Sequence, residues 1–189
     1  MEKLLFINGC VRSESRTLEL AKAVLSKWQG EVLEVNLETE NIQSLNGALL
    51  NRRHEFELKK DFSDDMFKYA HQFVEADVIL IAVPYWDLSF PAMFRTYLEA
   101  VTVNGLSFYY TPEGYPAGLC KARKLMYVTT AGGPIWNPDF GFDYVKTMAQ
   151  MFFGIQSVTA FKAENLDIIG ADVDYILSQV KAEIETYEI

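Results

Sequence analysis

Residues Asp77 to Val83 read DVILIAV, an aspartate followed by six apolar residues in a row. A run this short is a strand, and a strand that is apolar on both faces must be covered on both. That requirement selects a parallel sheet with helices on either side over a half-exposed antiparallel sheet. The rest of the chain supplies matching pieces. Lys3 to Asn8, the alternating Glu31 to Asn36, Lys124 to Thr130 and Ser157 to Lys162 read as further strands. Ser15 to Gln29 predicts a helix, with Leu18, Ala21, Leu25 and Trp28 at helical spacing and Gly30 as its stop. Phe62 to Ala76 predicts another, with Met66, Tyr69, Ala70 and Phe73 on one face and Ser63 as its cap. Ala92 to Val101, Phe142 to Phe153 and Asp172 to Glu188 complete the helices. Leu37 to Asp61 reads as irregular, with one short helix inside LNGALLNRRHEFELKK. Residues 105–120 or so read as a hairpin excursion.

The order is βαβαβαβαβα. With right-handed crossovers it gives an α/β fold: a doubly wound five-stranded parallel sheet, order 2-1-3-4-5, with helices on both faces. A chain of 189 residues, half of them hydrophobic, fits a single domain over 1–189. In such sheets ligands bind beyond the carboxyl ends of the strands, where the strand order reverses. Three loops meet there: Gly9 to Ser15, Pro84 to Pro91 and Ala131 to Gly141.

Several function classes are disfavoured. A net charge of −9 argues against a nucleic-acid partner, which calls for a basic face. The longest apolar run, Val78 to Trp86, is broken by Pro84 and falls short of the roughly 20 residues of a membrane span. Met1-Glu2-Lys3 leads straight into a strand, without signal-peptide architecture. Cys10 and Cys120 form neither a metal pattern nor C-x-x-C, which reads as a cytoplasmic protein with free thiols and no metal. His54 and His71 are the only histidines, and no Ser-His-Asp set has hydrolase spacing. No side chain is therefore named catalytic.

The first loop carries Arg12, the hydroxyls of Ser13, Ser15 and Thr17, and the N–H groups of a helix start. That end holds roughly half a positive charge. Neither G-x-G-x-x-G nor G-x-x-x-x-G-K-[ST] is present, which points to one terminal phosphate over a pyrophosphate. Capping is the ordinary use of Ser13 or Ser15. The second loop, PYWDLSFP, places Tyr85, Trp86, Leu88 and Phe90 between two prolines. A flat aromatic ligand would cover them, and packing onto the following helix is the alternative. The third loop, TTAGGP, has Gly132 and Gly133 for close backbone approach, or for a plain turn. One phosphate, one flat ring and one polar ring edge together describe FMN.

The chain resembles the FMN-dependent NAD(P)H:quinone oxidoreductases and azoreductases of flavodoxin-like fold. GCVRSESRT is similar to that superfamily's phosphate loop, G-S-x-R-x-x-S-x-S/N. VPYWDLSFPAMFRTYLEAV resembles the segment that lies along the flavin ring, and GLSFYYTPEGYPAGL followed by TTAGGP resembles F-x-Y-T-x-x-G-x-x-G-L followed by S-R-G-G. The resemblance implies that Cys10, Ser13, Glu14 and Ser15, with Arg12 and Thr17 beside them, surround the phosphate and ribityl chain. Pro84, Tyr85, Trp86, Asp87 and Leu88 would flank the ring, and Thr130, Ala131, Gly132 and Gly133 would meet its pyrimidine end. It further implies NADH or NADPH as donor, a quinone or azo compound as acceptor and a homodimer, for which Phe108, Tyr109, Tyr110, Trp136, Phe140 and Phe142 also argue, since exposed together on a monomer they would make a large apolar patch. Donor and acceptor sharing one ring face predicts ping-pong turnover. Cys10 stands where a serine is usual, Trp86-Asp87 replaces Tyr-Asn, and Ala131 replaces Arg. A flavodoxin-type electron carrier without small-molecule turnover is the alternative, against which the aromatic insertion Ser107 to Leu119 counts.

Overall fold

A computed structural model describes residues 1–189. Strands β1 (Lys3–Asn8), β2 (Glu31–Asn36), β3 (Val78–Ala82), β6 (Lys124–Thr130) and β7 (Ser157–Ala163) form one parallel sheet in the order β2-β1-β3-β6-β7. Counted within the sheet, this is 2-1-3-4-5. The separate pair β4 (Phe108–Tyr110) and β5 (Pro116–Gly118) is an antiparallel hairpin. β3 sits at the centre with every residue buried, as its unbroken apolar run demands.

Side chains of successive strand residues point to opposite faces, and two cores result. On one face α1 (Arg16–Leu25) and α6 (Val173–Thr186) pack Leu20, Val24, Leu177 and Ile184 against Leu4, Phe6, Leu80 and Met126. On the other, α3 (Lys68–Glu75), α4 (Ala92–Val101) and α5 (Phe142–Met148) pack Phe73, Phe94, Tyr97 and Val145 against Leu5, Ile79, Ile81 and Tyr127. Lys27, just past α1, ties that helix to the end of α6, its Nζ donating to the carbonyls of Ile184 and Tyr187 at 2.7 Å each.

The structure corrects several boundaries. α1 stops at Leu25, and Gly30 does not end it. A Cβ at position 30 would lie 2.3 Å from the Glu2 carbonyl oxygen and 2.8 Å from the Trp28 ring nitrogen, so glycine serves close approach there. The expected short helix is α2 (Gly47–Lys59), 13 residues long and capped by Asn46, whose Oδ1 accepts the Leu49 N–H at 3.0 Å. Its anchor is Arg53, which pairs with Glu57 and donates to the carbonyls of Glu99 and Thr102 at the end of α4. Ser63 caps nothing. Its hydroxyl donates to Asp61, while Asp64 accepts the Met66 N–H and opens a 3-10 turn, Asp65–Phe67, before α3. α5 widens into a π turn, Ala149–Phe153, ending at Gly154 with φ 77°. The hairpin rests on that turn through Gly118. A Cβ there would lie 2.1 Å from the Phe153 carbonyl carbon and 2.2 Å from the Gly154 nitrogen.

Candidate functional site

The first loop leaves the sheet at a fixed point. Asn8 is buried, its Oδ1 accepting the Cys10 N–H at 3.0 Å and its Nδ2 donating to Glu34 at 2.9 Å. The Gly9 N–H bonds the Ala82 carbonyl at 2.8 Å. Ser15 is the cap of α1, accepting the Leu18 N–H at 3.2 Å. That separates the two candidate serines, and Ser13 is merely exposed. The N–H groups of residues 11–17 donate to no other group of the chain. A row of unspent donors at a helix start is an anion-binding arrangement. Thr17 is buried and its hydroxyl meets that of Thr130 at 2.6 Å, joining α1 to the end of β6.

Cys10 turns its thiol towards the Ala82 carbonyl, 3.6 Å away. Burial pushes its pKa up, and the Ser15 hydroxyl opposes this less strongly. The thiol stays protonated at neutral pH, so it supplies no thiolate nucleophile.

The loop after β3 departs from a simple ring wall. The Tyr85 N–H bonds the Thr130 carbonyl at 3.0 Å. Trp86 and Ser89 exchange two backbone hydrogen bonds, 2.9 and 2.8 Å, closing a two-residue turn. Its central residues, Asp87 (φ 50°) and Leu88 (φ 69°), are both left-handed. For leucine that conformation costs on the order of 1–3 kcal/mol. The turn carries Asp87 and Leu88 off the cleft wall, and Asp87 joins Trp86, Phe90, Arg95, Phe140 and Tyr144 around a neighbouring groove.

At the loop after β6 the Ala131 N–H bonds the Ala163 carbonyl, while the N–H groups of Gly132 and Gly133 have no partner in the chain. Neither glycine is left-handed. Space is open beside Gly133, but a Cβ on residue 132 would meet Asp167 Oδ2 at 2.3 Å. Asp167 belongs to a fourth wall, the loop after β7, which the switch-point argument omitted. Its N–H bonds the Gly132 carbonyl at 2.8 Å, and its Oδ1 pairs with Arg16 Nη1 at 2.7 Å. Because every parallel strand ends at the same edge, that loop's position was implicit in the topology.

Together these loops enclose a cleft of about 390 Å³, within the range of small-molecule sites. Cys10, Arg12, Glu14, Ser15, Thr17, Pro84, Tyr85, Trp86, Thr130, Ala131 and Gly132 line it, joined by Val11, Arg16, Leu166 and Asp167. Ser13, Asp87, Leu88 and Gly133 do not. The donor set fits a flavin mononucleotide: free N–H groups and Arg12 for a phosphate, the Tyr85–Trp86 lip for a ring, and the free N–H of Gly132 for a polar edge. No histidine lines the cleft, and no three His, Cys, Asp or Glu side chains cluster to hold a metal. No helix is long and apolar enough to cross a membrane.

Comparison with known proteins agrees with this geometry. The family model described as flavodoxin-like fold matches residues 2–187. A protein of Coprothermobacter proteolyticus named FMN-dependent NADH:quinone oxidoreductase is 34% identical, over 98% of this chain and 97% of that one. One of the same name from Lachnoclostridium phytofermentans is 35% identical over 92% and 91%. The crystal structure of an azoreductase from Bacillus anthracis superposes with a TM-score of 0.84 at 25% identity, covering 97% of both chains.

Proposed function

We infer the function from one premise: the chain belongs to the family of flavodoxin-like fold. We propose that it is an FMN-dependent oxidoreductase carrying electrons from NADH or NADPH to a quinone or azo acceptor. The observation that carries this reading is the row of unspent N–H groups at residues 11–17, at the start of α1, set across one cleft from an aromatic lip and the free N–H of Gly132. When bound, FMN supplies the two-electron chemistry. The start of α1, with Arg12 and Ser15, holds the phosphate. Tyr85 and Trp86 cover the ring. Gly132 would offer its free N–H to the pyrimidine edge, where reduction adds negative charge. No acid or base is required of the protein, which suits a cleft with a protonated Cys10 and no histidine. The quinone oxidoreductase names of the relatives support turnover of small molecules over a carrier that serves only protein partners.

Mass spectrometry of the ligand released by heat should show FMN, and double-reciprocal plots against NADH at several quinone concentrations should be parallel. Donor and acceptor would then share one ring face in turn. Released FAD, or clearly intersecting lines, would contradict the reading.

A homodimer completes the proposal. Phe108 and Phe142, expected on the outside, pack into the fold. Tyr109, Tyr110, Trp136 and Phe140 remain 44%, 54%, 82% and 57% exposed, more aromatic surface than a monomer usually leaves uncovered. Light scattering at micromolar concentration should give twice the chain mass, and a fully active monomer would refute the dimer. The unpaired thiols of Cys10 and Cys120 suit the cytoplasm.

A further inference from the structure

We propose that Asp167 lowers the reduction potential of the flavin bound in the cleft, and that Arg16 restrains it. This rests on the FMN reading above. The Asp167 carboxylate lies directly against Gly132, with Oδ2 2.3 Å from where a Cβ of residue 132 would stand. Its backbone N–H is fastened to the Gly132 carbonyl at 2.8 Å, which keeps the residue in place. Both residues line the cleft. The carboxylate therefore borders the stretch of backbone whose free N–H groups would meet the pyrimidine edge. Negative charge added there by reduction meets a negative charge already present, so the oxidised state gains relative to the reduced one.

Arg16 acts in the opposite sense. It is the first residue of α1, and its Nη1 lies 2.7 Å from Asp167 Oδ1 and 3.4 Å from the Leu166 carbonyl oxygen. The two side chains are 40% and 69% exposed, so water screens both charges and the residual effect is modest. It should amount to about three- to fivefold in the ratio of affinities for reduced and oxidised flavin. For a two-electron couple that is about 15–20 mV. Of the carboxylates that line the cleft, Glu14 stands in the first loop and Asp167 beside Gly132; Glu164, whose Oε2 accepts the Ile135 N–H at 2.7 Å, lies outside the lining.

The test is a dye-equilibrated redox titration of the FMN-loaded protein at low salt. Wild type, Asp167→Asn, Arg16→Gln and the double variant are compared with Glu183→Gln, an exposed carboxylate near the end of α6. Asp167→Asn should shift the midpoint potential upwards by about 15–20 mV, and Arg16→Gln downwards. In the Arg16→Gln background, Asp167→Asn should move the potential further than it does in wild type, because its charge is then unmasked. All shifts should shrink in about 1 M salt, where the screening length falls to about 3 Å. A purely structural Arg16–Asp167 tie would not give shifts of opposite sign. An Asp167→Asn shift no larger than that of Glu183→Gln, with FMN bound normally, overturns this inference and leaves the functional reading intact. A wild-type protein that takes up no FMN overturns both.

Discussion

Ser15→Asp is expected to weaken FMN binding by more than a hundredfold while leaving the fold intact. Aspartate caps a helix as well as serine does, so the Leu18 N–H keeps an acceptor and α1 keeps its start. What changes is charge. A carboxylate at the cap would sit within a few ångströms of an incoming phosphate. Two like charges about 4 Å apart at a protein surface repel by about 4 kcal/mol before screening. The lost hydrogen bond from the serine hydroxyl to a charged oxygen adds about 1.5–3 kcal/mol. A net loss of about 3 kcal/mol already exceeds two decades in dissociation constant. Riboflavin, which has no phosphate, should bind Ser15→Asp and the wild-type protein equally well. Fluorescence titration with both flavins separates the cases. Undiminished FMN binding by the variant would mean that the phosphate does not lie at α1.

Gly118→Ala should be the most damaging small substitution outside the cleft. The added methyl would fall 2.1 Å from the Phe153 carbonyl carbon, 2.2 Å from the Gly154 nitrogen and 2.4 Å from the Phe153 oxygen. All three are backbone atoms, so no rotamer change relieves the clash. The π turn is fixed in turn by the Ile155 N–H bond to Ala149 at 2.9 Å. Either the hairpin lifts or the turn unwinds. Overpacking typically costs 1–3 kcal/mol, and a clash of backbone with backbone belongs at about 3. At 2–4 °C per kcal/mol for a chain of this size, the melting temperature should fall by about 6–12 °C. Thermal melting followed by circular dichroism measures it. A drop under about 2 °C would mean that the hairpin is not seated on the turn.

The sheet was legible because burial on both faces leaves a strand no polar residue to blur it, and β3 is the extreme case. α2 was underestimated because it buries none of its residues, so its apolar spacing carried little signal. The 3-10 turn that leads into α3 has two adjacent candidate caps, and α3 itself has no side-chain cap. Ser63 and Asp64 can both cap, and the choice was made by Asp61, which holds the Ser63 hydroxyl. At the cleft, the excursion of Asp87 and Leu88 had no local marker, since tight hairpin turns normally announce themselves with Asn-Gly or Asp-Gly. Gly132 was legible as a close approach, but its neighbour is Asp167, 35 positions further along the chain. That contact depends on the register of β6 against β7, which no short-range pattern encodes.

The two cores divide labour as well as space. Alternate residues of each strand answer to different helices, so the sheet works as a partition wall. On the proposed function, the α1 side would govern how the phosphate end is held. The α4 side, where Phe90 and Tyr144 pack, governs the lip that an acceptor would meet. Substitutions accumulating behind the lip would then retune which molecules are accepted without loosening the grip on the cofactor. A lineage built this way is free to explore new oxidants while keeping one inherited prosthetic group.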